Sequence, residues 1–158
     1  MKNTVDRMKT LYWITYFLVF ISLGACSGKP DISQILSDAE NLMAERPDSA
    51  LYLLDSIIQP EVLSSEDKAL WCLLITQARD KEHVTHTSDS LVNIAVHYYE
   101  KKDNIERGAQ AFYCRGRVYM DMLLFEEAIV SYLKAEELVQ QTTDYNLQAR
   151  IYNQLGDL

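Results

Sequence analysis

From Ile32 onward almost nothing in this chain can stop a helix. Proline occurs only at Pro30, Pro47 and Pro60, and beyond Gly28 glycine is confined to Gly108, Gly116 and Gly156. No run keeps the apolar–polar alternation of a strand, whereas apolar residues recur at three-four spacing throughout. The chain is therefore expected to be all-α.

Seven helices are read along it. The first, about 32–45, carries Ile32, Ile35, Leu36, Ala39, Leu42 and Met43 as one stripe. Pro47 stands where it can open a second helix, about 48–58, with Leu51, Leu54, Ile57 and Ile58 on one face. Ser64 to Asp67 offers an N-cap followed by first-turn carboxylates, opening a third helix to about Asp80 with Trp71, Leu74, Ile75 and Ala78 inward. Lys81 to Thr87 is polar and loop-like. Ser88 or Asp89 starts the fourth helix, and Asp103 with Glu106, at capping-box spacing, the fifth. The sixth and seventh run about 124–140 and 145–158. Similar lengths joined by short connections predict stacked antiparallel helix hairpins.

Residues 1–31 have a different character. Lys2, Arg7 and Lys9 precede a mostly apolar run from Leu11 to Leu23, the layout of a signal peptide and shorter than a comfortable membrane span. Leu23-Gly24-Ala25-Cys26 resembles the lipobox of bacterial lipoproteins. That resemblance implies cleavage after Ala25, acylation of Cys26 on its sulfur and new amine, and a membrane-anchored chain. Residues 1–25 would be the signal peptide and 26–31 a tether. Ser27 follows the cysteine where an inner-membrane retention signal would place Asp, so an outer-membrane address in the cell envelope is expected, its facing left open.

Cleavage would remove Lys2, Arg7, Lys9 and Asp6 and take the formal charge from −8 to −10. Such an acidic domain cannot displace counterions from phosphates, so nucleic acid is not expected as a partner. Cys72 and Cys114 sit among apolar helical neighbours and read as buried thiols.

One segment repeats. Phe112, Gly116, Tyr119, Phe125, Ala128, Tyr132 and Ala135 are spaced 4, 3, 6, 3, 4 and 3 apart, and Tyr152, Leu155 and Gly156 restart the pattern 40 residues after Gly116. This resembles the tetratricopeptide repeat, in which small residues let paired helices approach and aromatics fill the gaps beside them. Arg115 stands where that family usually has Leu, and Gln140 near its usual Pro. The resemblance covers about 32–158, most plainly after Ala109, and implies an α-solenoid of stacked helix hairpins. The last repeat would be incomplete, with Ile151, Tyr152 and Leu155 on its stacking face, as in the front portion of a longer array.

The resemblance also implies a concave groove lined by the first helix of each hairpin. On the matching positions, Tyr113, Arg117, Asp121, Arg150, Asn153 and Asp157 become candidate peptide-binding residues. No catalytic constellation competes with them. His83 and His86, with Asp80, Asp89 and His97 in reach, have permissive metal spacing but read as solvated loop residues. Glu126-Glu127 and Glu136-Glu137 are adjacent on a helix and diverge by about 100°, so they do not face each other. The expected function is a non-catalytic, cofactor-free, lipid-anchored interaction module that binds a protein or peptide. An extracytoplasmic sensor segment of a longer regulatory protein, and a glycan-uptake lipoprotein, are the alternatives.

Overall fold

The computed structural model describes residues 31–158; the expected signal peptide, Cys26 and most of the expected tether lie outside the described residues. The described chain is all-helical. It contains α1 (Ile32–Leu42), α2 (Pro47–Asp55), a 3-10 turn (Pro60–Val62), α3 (Ser65–Lys81), α4 (Ser90–Lys101), α5 (Ile105–Asp121), α6 (Phe125–Val139) and α7 (Tyr145–Gly156). None of these helices is long and apolar enough to cross a membrane.

A 40-residue period governs the helix starts. Ser65, Ile105 and Tyr145 begin α3, α5 and α7, and the residue before each is a working N-cap. The side chains of Ser64, Asn104 and Asp144 accept from the backbone N–H groups of Asp67, Arg107 and Leu147. Asn104, rather than the expected Asp103, caps α5. Asp103 belongs to the end of α4, where it takes φ 50°.

Helix ends also share one device. His83, Asp103 and Leu123 all have positive φ (57°, 50° and 60°) one residue past the caps of α3, α4 and α5. In each case that residue's N–H and the next one bond back to the final turn, as Val84 does to the Arg79 carbonyl at 2.9 Å and Leu124 to that of Tyr119 at 2.9 Å. Glycine usually fills this left-handed position; here Asp, His and even an exposed Leu hold it.

Consecutive helices pack in chain order, and α3 also touches both α1 and α5. The α5–α6 pair is antiparallel and close: a Cβ on Gly116 would fall 2.3–2.7 Å from the Tyr132 ring, and one on Gly108 3.3 Å from Leu138. Tyr132, Ala128 and Ala135 are fully buried there. Between α5 and α6, Arg115 lays its guanidinium over Phe112 at 4.5 Å and donates from Nε to the Ser131 hydroxyl at 3.1 Å. Its cation and stem cover aromatic surface that an aliphatic residue would otherwise cover. Earlier in the chain, Trp71 of α3 donates its indole N–H to the Leu54 carbonyl at the end of α2, 3.0 Å away and buried.

Three expectations need correction. Helix α2 stops at Asp55, where the Ser56 hydroxyl donates to the Leu53 carbonyl; Ile57 is buried beyond the helix and Ile58 is exposed. Phe125 opens α6 half-exposed rather than filling the interior. In α7, Ile151 is buried while Tyr152, about 100° round the helix, is exposed, so the two do not share one face.

At an open helical site Gly→Ala gains about 1 kcal/mol, whereas overpacking a filled interior costs about 1–3 kcal/mol. Gly116→Ala is therefore expected to lower the free energy of unfolding in urea. Gly156→Ala, with nothing within 4 Å of the added Cβ, is expected to leave it unchanged or raise it.

Candidate functional site

The odd-numbered helices share one side of the bundle. Ladder-like pairs mark it: Arg117 of α5 donates to Asp80 of α3 at 2.9 Å and to Gln154 of α7 at 2.9 Å, each 37 residues away. One side chain of α5 thus ties together α3 and α7.

Between them lies a cleft of about 510 Å³. Helix α1 contributes Glu40, with Met43 and Ala44 just beyond its end; α3 contributes Gln77, Asp80 and Lys81; α5 contributes Gln110, Tyr113 and Cys114; α7 contributes Leu147 and Arg150. The lining mixes amides, charges and a few apolar surfaces.

Two of its carboxylates are already committed. Glu40 takes a bidentate pair from Arg107, at 2.6 and 2.9 Å, which ties α1 to α5. Asp80 is held by Arg117. The cations of the cleft are placed differently. Arg150 is exposed and lies over the Tyr113 ring at 5.2 Å, while Lys81 is exposed at the end of α3. Neither is paired with a carboxylate among the described ion pairs.

The six sequence-predicted residues separate accordingly. Tyr113 and Arg150 line the cleft together. Arg117 is a half-buried tie between three helices. Asp121 closes a loop, its carboxylate accepting the His86 backbone N–H at 2.9 Å. Asn153 and Asp157 are exposed, and neither lines the cleft; Asp157 is the cap residue after α7. Sequence reasoning missed Glu40, Gln77, Lys81 and Gln110. Gln110 was within reach of the pattern, since it precedes Arg150 by the same 40 residues that separate Gly116 from Gly156.

Burial keeps the cleft's other titratable groups neutral. Desolvation pushes the Cys114 thiol up to about 12 and the Tyr113 phenol above its ordinary value. Cys72, away from the cleft, is raised by burial to about 11. Both cysteines are free thiols, and thiols so raised stay protonated and unreactive at neutral pH.

His86 overturns its expectation as a solvated loop residue. It is only 8% exposed, and its Nε2 is buried without a hydrogen-bond partner. Its neighbour His83 is exposed. No group of three His, Cys, Asp or Glu side chains that could hold a metal ion occurs among the described residues.

Compared with known proteins, the chain matches no protein-family model, no curated protein and no solved structure.

The buried imidazole makes stability depend on pH. Desolvation lowers the His86 pKa from 6.5, with Arg79 and Arg117 acting in the same direction and Asp121 and Asp80 opposing. The unfolded chain then binds the proton at a pH where the folded chain does not, so stability falls as pH drops below about 6.5. The slope is at most about 1.4 kcal/mol per pH unit for one proton. Melting temperatures measured between pH 7.5 and 5.5 are expected to fall in the native chain and to flatten in His86→Gln.

Proposed function

We propose that this chain is a lipid-anchored, non-catalytic interaction module of the bacterial cell envelope, built from tetratricopeptide-like repeats, and that the cleft between its first helices binds an extended peptide or protein segment. The observation that carries the reading is the cleft's composition. Gln77 and Gln110 place side-chain amides along the cleft for a peptide backbone, the Gln110 oxygen also accepting from Arg107 at 3.2 Å, and Met43, Tyr113 and Leu147 offer apolar contact. Arg150 and Lys81 are the charges left to recognise a ligand, because Glu40 and Asp80 already have guanidinium partners. A segment bearing a carboxylate, on a side chain or at its C-terminus, fits that arrangement.

The repeat reading draws support from the 40-residue period of helix starts and N-caps, and from the antiparallel α5–α6 pair closed on Gly116. The anchor reading rests on the basic start at Lys2, Arg7 and Lys9, the apolar run from Leu11 to Leu23 and the closing Leu23-Gly24-Ala25-Cys26. It requires processing by the producing cell. Intact-mass spectrometry of protein extracted from membranes is expected to give a chain starting at an acylated Cys26; an unmodified Met1 start would rule the anchor out.

For the cleft, a photo-crosslinking residue at Gln110 is expected to trap an envelope partner in living cells. The same residue at exposed Glu127, on α6, serves as the control. Arg150→Glu should reduce the Gln110 adduct at least tenfold while leaving the fold intact by circular dichroism. An adduct indifferent to Arg150, or equal yields from the two positions, would exclude the cleft as the binding surface.

A further inference from the structure

Helix α4 is preceded by a capping residue that does not cap. Ser64, Asn104 and Asp144 each take the third N–H of the helix they open, whereas Asp89, in the same place before α4, takes none. Its Oδ2 is drawn aside, accepting from Asn93 Nδ2 at 2.8 Å and from the Tyr119 hydroxyl at 3.1 Å. The Ser90 N–H finds the Ser88 hydroxyl at 3.2 Å, and Asn93 is the first to bond a backbone carbonyl, that of Asp89. Among the described hydrogen bonds the Leu91 and Val92 N–H groups therefore have no acceptor. They carry the positive end of a 12-residue helix.

Beside that end lies a cavity of about 140 Å³, lined by Leu91 and Val92, by Thr85 and Thr87 of the preceding loop, by Arg79 of α3 and by His86. His86 makes it more than a bare helix terminus. Its imidazole stands in the wall 8% exposed, with Nε2 buried and unpartnered. Arg79 is half-buried and belongs to none of the described ion pairs. No Asp or Glu among the described residues lines the cavity, in a chain that has 23 of them. The two carboxylates that act on His86 are engaged outside it: Asp80 pairs with Arg117 at 2.9 Å, and Asp121 accepts the His86 backbone N–H at 2.9 Å.

Size and charge select the occupant. One water takes about 30 Å³ of the liquid, and pockets for organic ligands start near about 300 Å³. The space between those limits suits a small polyatomic ion. A metal cation would meet a guanidinium and N–H groups with no carboxylate to hold it. We propose that this cavity is a binding site for a tetrahedral oxyanion of the phosphate and sulfate class. The Leu91 and Val92 N–H groups and the Thr85 and Thr87 hydroxyls donate to it, and Arg79 supplies the fixed charge.

The charge on His86 depends on the occupant. In the empty cavity burial disfavours the imidazolium, with Arg79 of α3 and Arg117 of α5 acting in the same direction and Asp121 of α5 and Asp80 of α3 opposing. An anion adds a facing negative charge and favours the imidazolium, so binding takes up a proton and strengthens as pH falls. The cavity shares no lining residue with the peptide cleft, so the two sites stand or fail separately.

The test titrates the full chain, in nonionic detergent micelles, with sodium sulfate at an ionic strength held constant with sodium chloride, followed by backbone amide NMR. Site-resolved shifts are the readout because sulfate stabilises folded chains in general by exclusion from their surface. The Leu91 and Val92 amides are expected to shift saturably. Affinity should rise severalfold from pH 7.5 to 5.5 in the native chain and stay level in His86→Gln. Arg79→Gln should weaken it by about tenfold or more. Thr87→Asp, an exposed substitution that brings a carboxylate to the cavity, should abolish binding; circular dichroism checks both folds, and either variant alone is decisive. In a parallel arm, tighter binding of phosphoserine than of inorganic phosphate would place the oxyanion on a larger partner, and the reverse order would assign the free ion. Shifts that grow without saturation, sulfate affinity that does not change with pH in the native chain, or binding that survives either substitution would overturn the proposal.

Discussion

Tyr132 against Gly116 is the contact on which the second half of the molecule depends. The ring of Tyr132 lies where any side chain at position 116 would stand, so two helices meet closer than their side chains would otherwise allow. Its hydroxyl reaches Gln154 of α7 at 3.2 Å, and its ring approaches Tyr113 of the cleft at 5.9 Å. Burial raises the phenol pKa, so the group stays protonated and donates. One side chain therefore sets the spacing of a hairpin, holds the next helix and backs the cleft floor. Removing a buried aromatic costs about 3–5 kcal/mol; here the loss would extend to α7 and the cleft.

The ion pairs act on a smaller scale of energy and a finer scale of geometry. Arg107–Glu40 and Arg117–Asp80 are partly exposed, and such pairs contribute about 0–1 kcal/mol each. Their value lies in register. Arg117 of α5 reaches two helices back and two helices forward by the same 37-residue step, so sliding α3 or α7 by a turn would strand it. By consuming Glu40 and Asp80 these pairs also decide the cleft's charge. In a chain of net charge −8, its uncommitted groups are cations.

The helical class and the α5–α6 packing were legible in the sequence because both rest on local spacing. Gly116 to Ala135 encode a close crossing, and their periodicity survives without knowledge of any other helix. Features that depend on a distant partner were not legible. Nothing near His86 announces that Asp121, 35 residues on, takes its backbone N–H and draws it out of solvent. The three left-handed helix ends carry no glycine, so the usual signal is missing, and Asp103 looked like a cap when Asn104 is one. In the cleft, Arg117 looked like a ligand contact because a guanidinium on a groove face has that appearance until Asp80 is placed beside it. Sequence spacing finds the side of the helix; only the partner helix shows which charges remain to bind.

That distinction also separates the two surfaces of α7. Leu147 and Arg150 line a cleft whose walls are mixed and partly charged. Tyr145, Ala149, Tyr152 and Gly156 share another side of the helix and are exposed to solvent. A single helix thus carries two faces of different physical kind, one mixed and charged and one of exposed aromatic and small residues, joined to the bundle through the Tyr132 hydroxyl on Gln154.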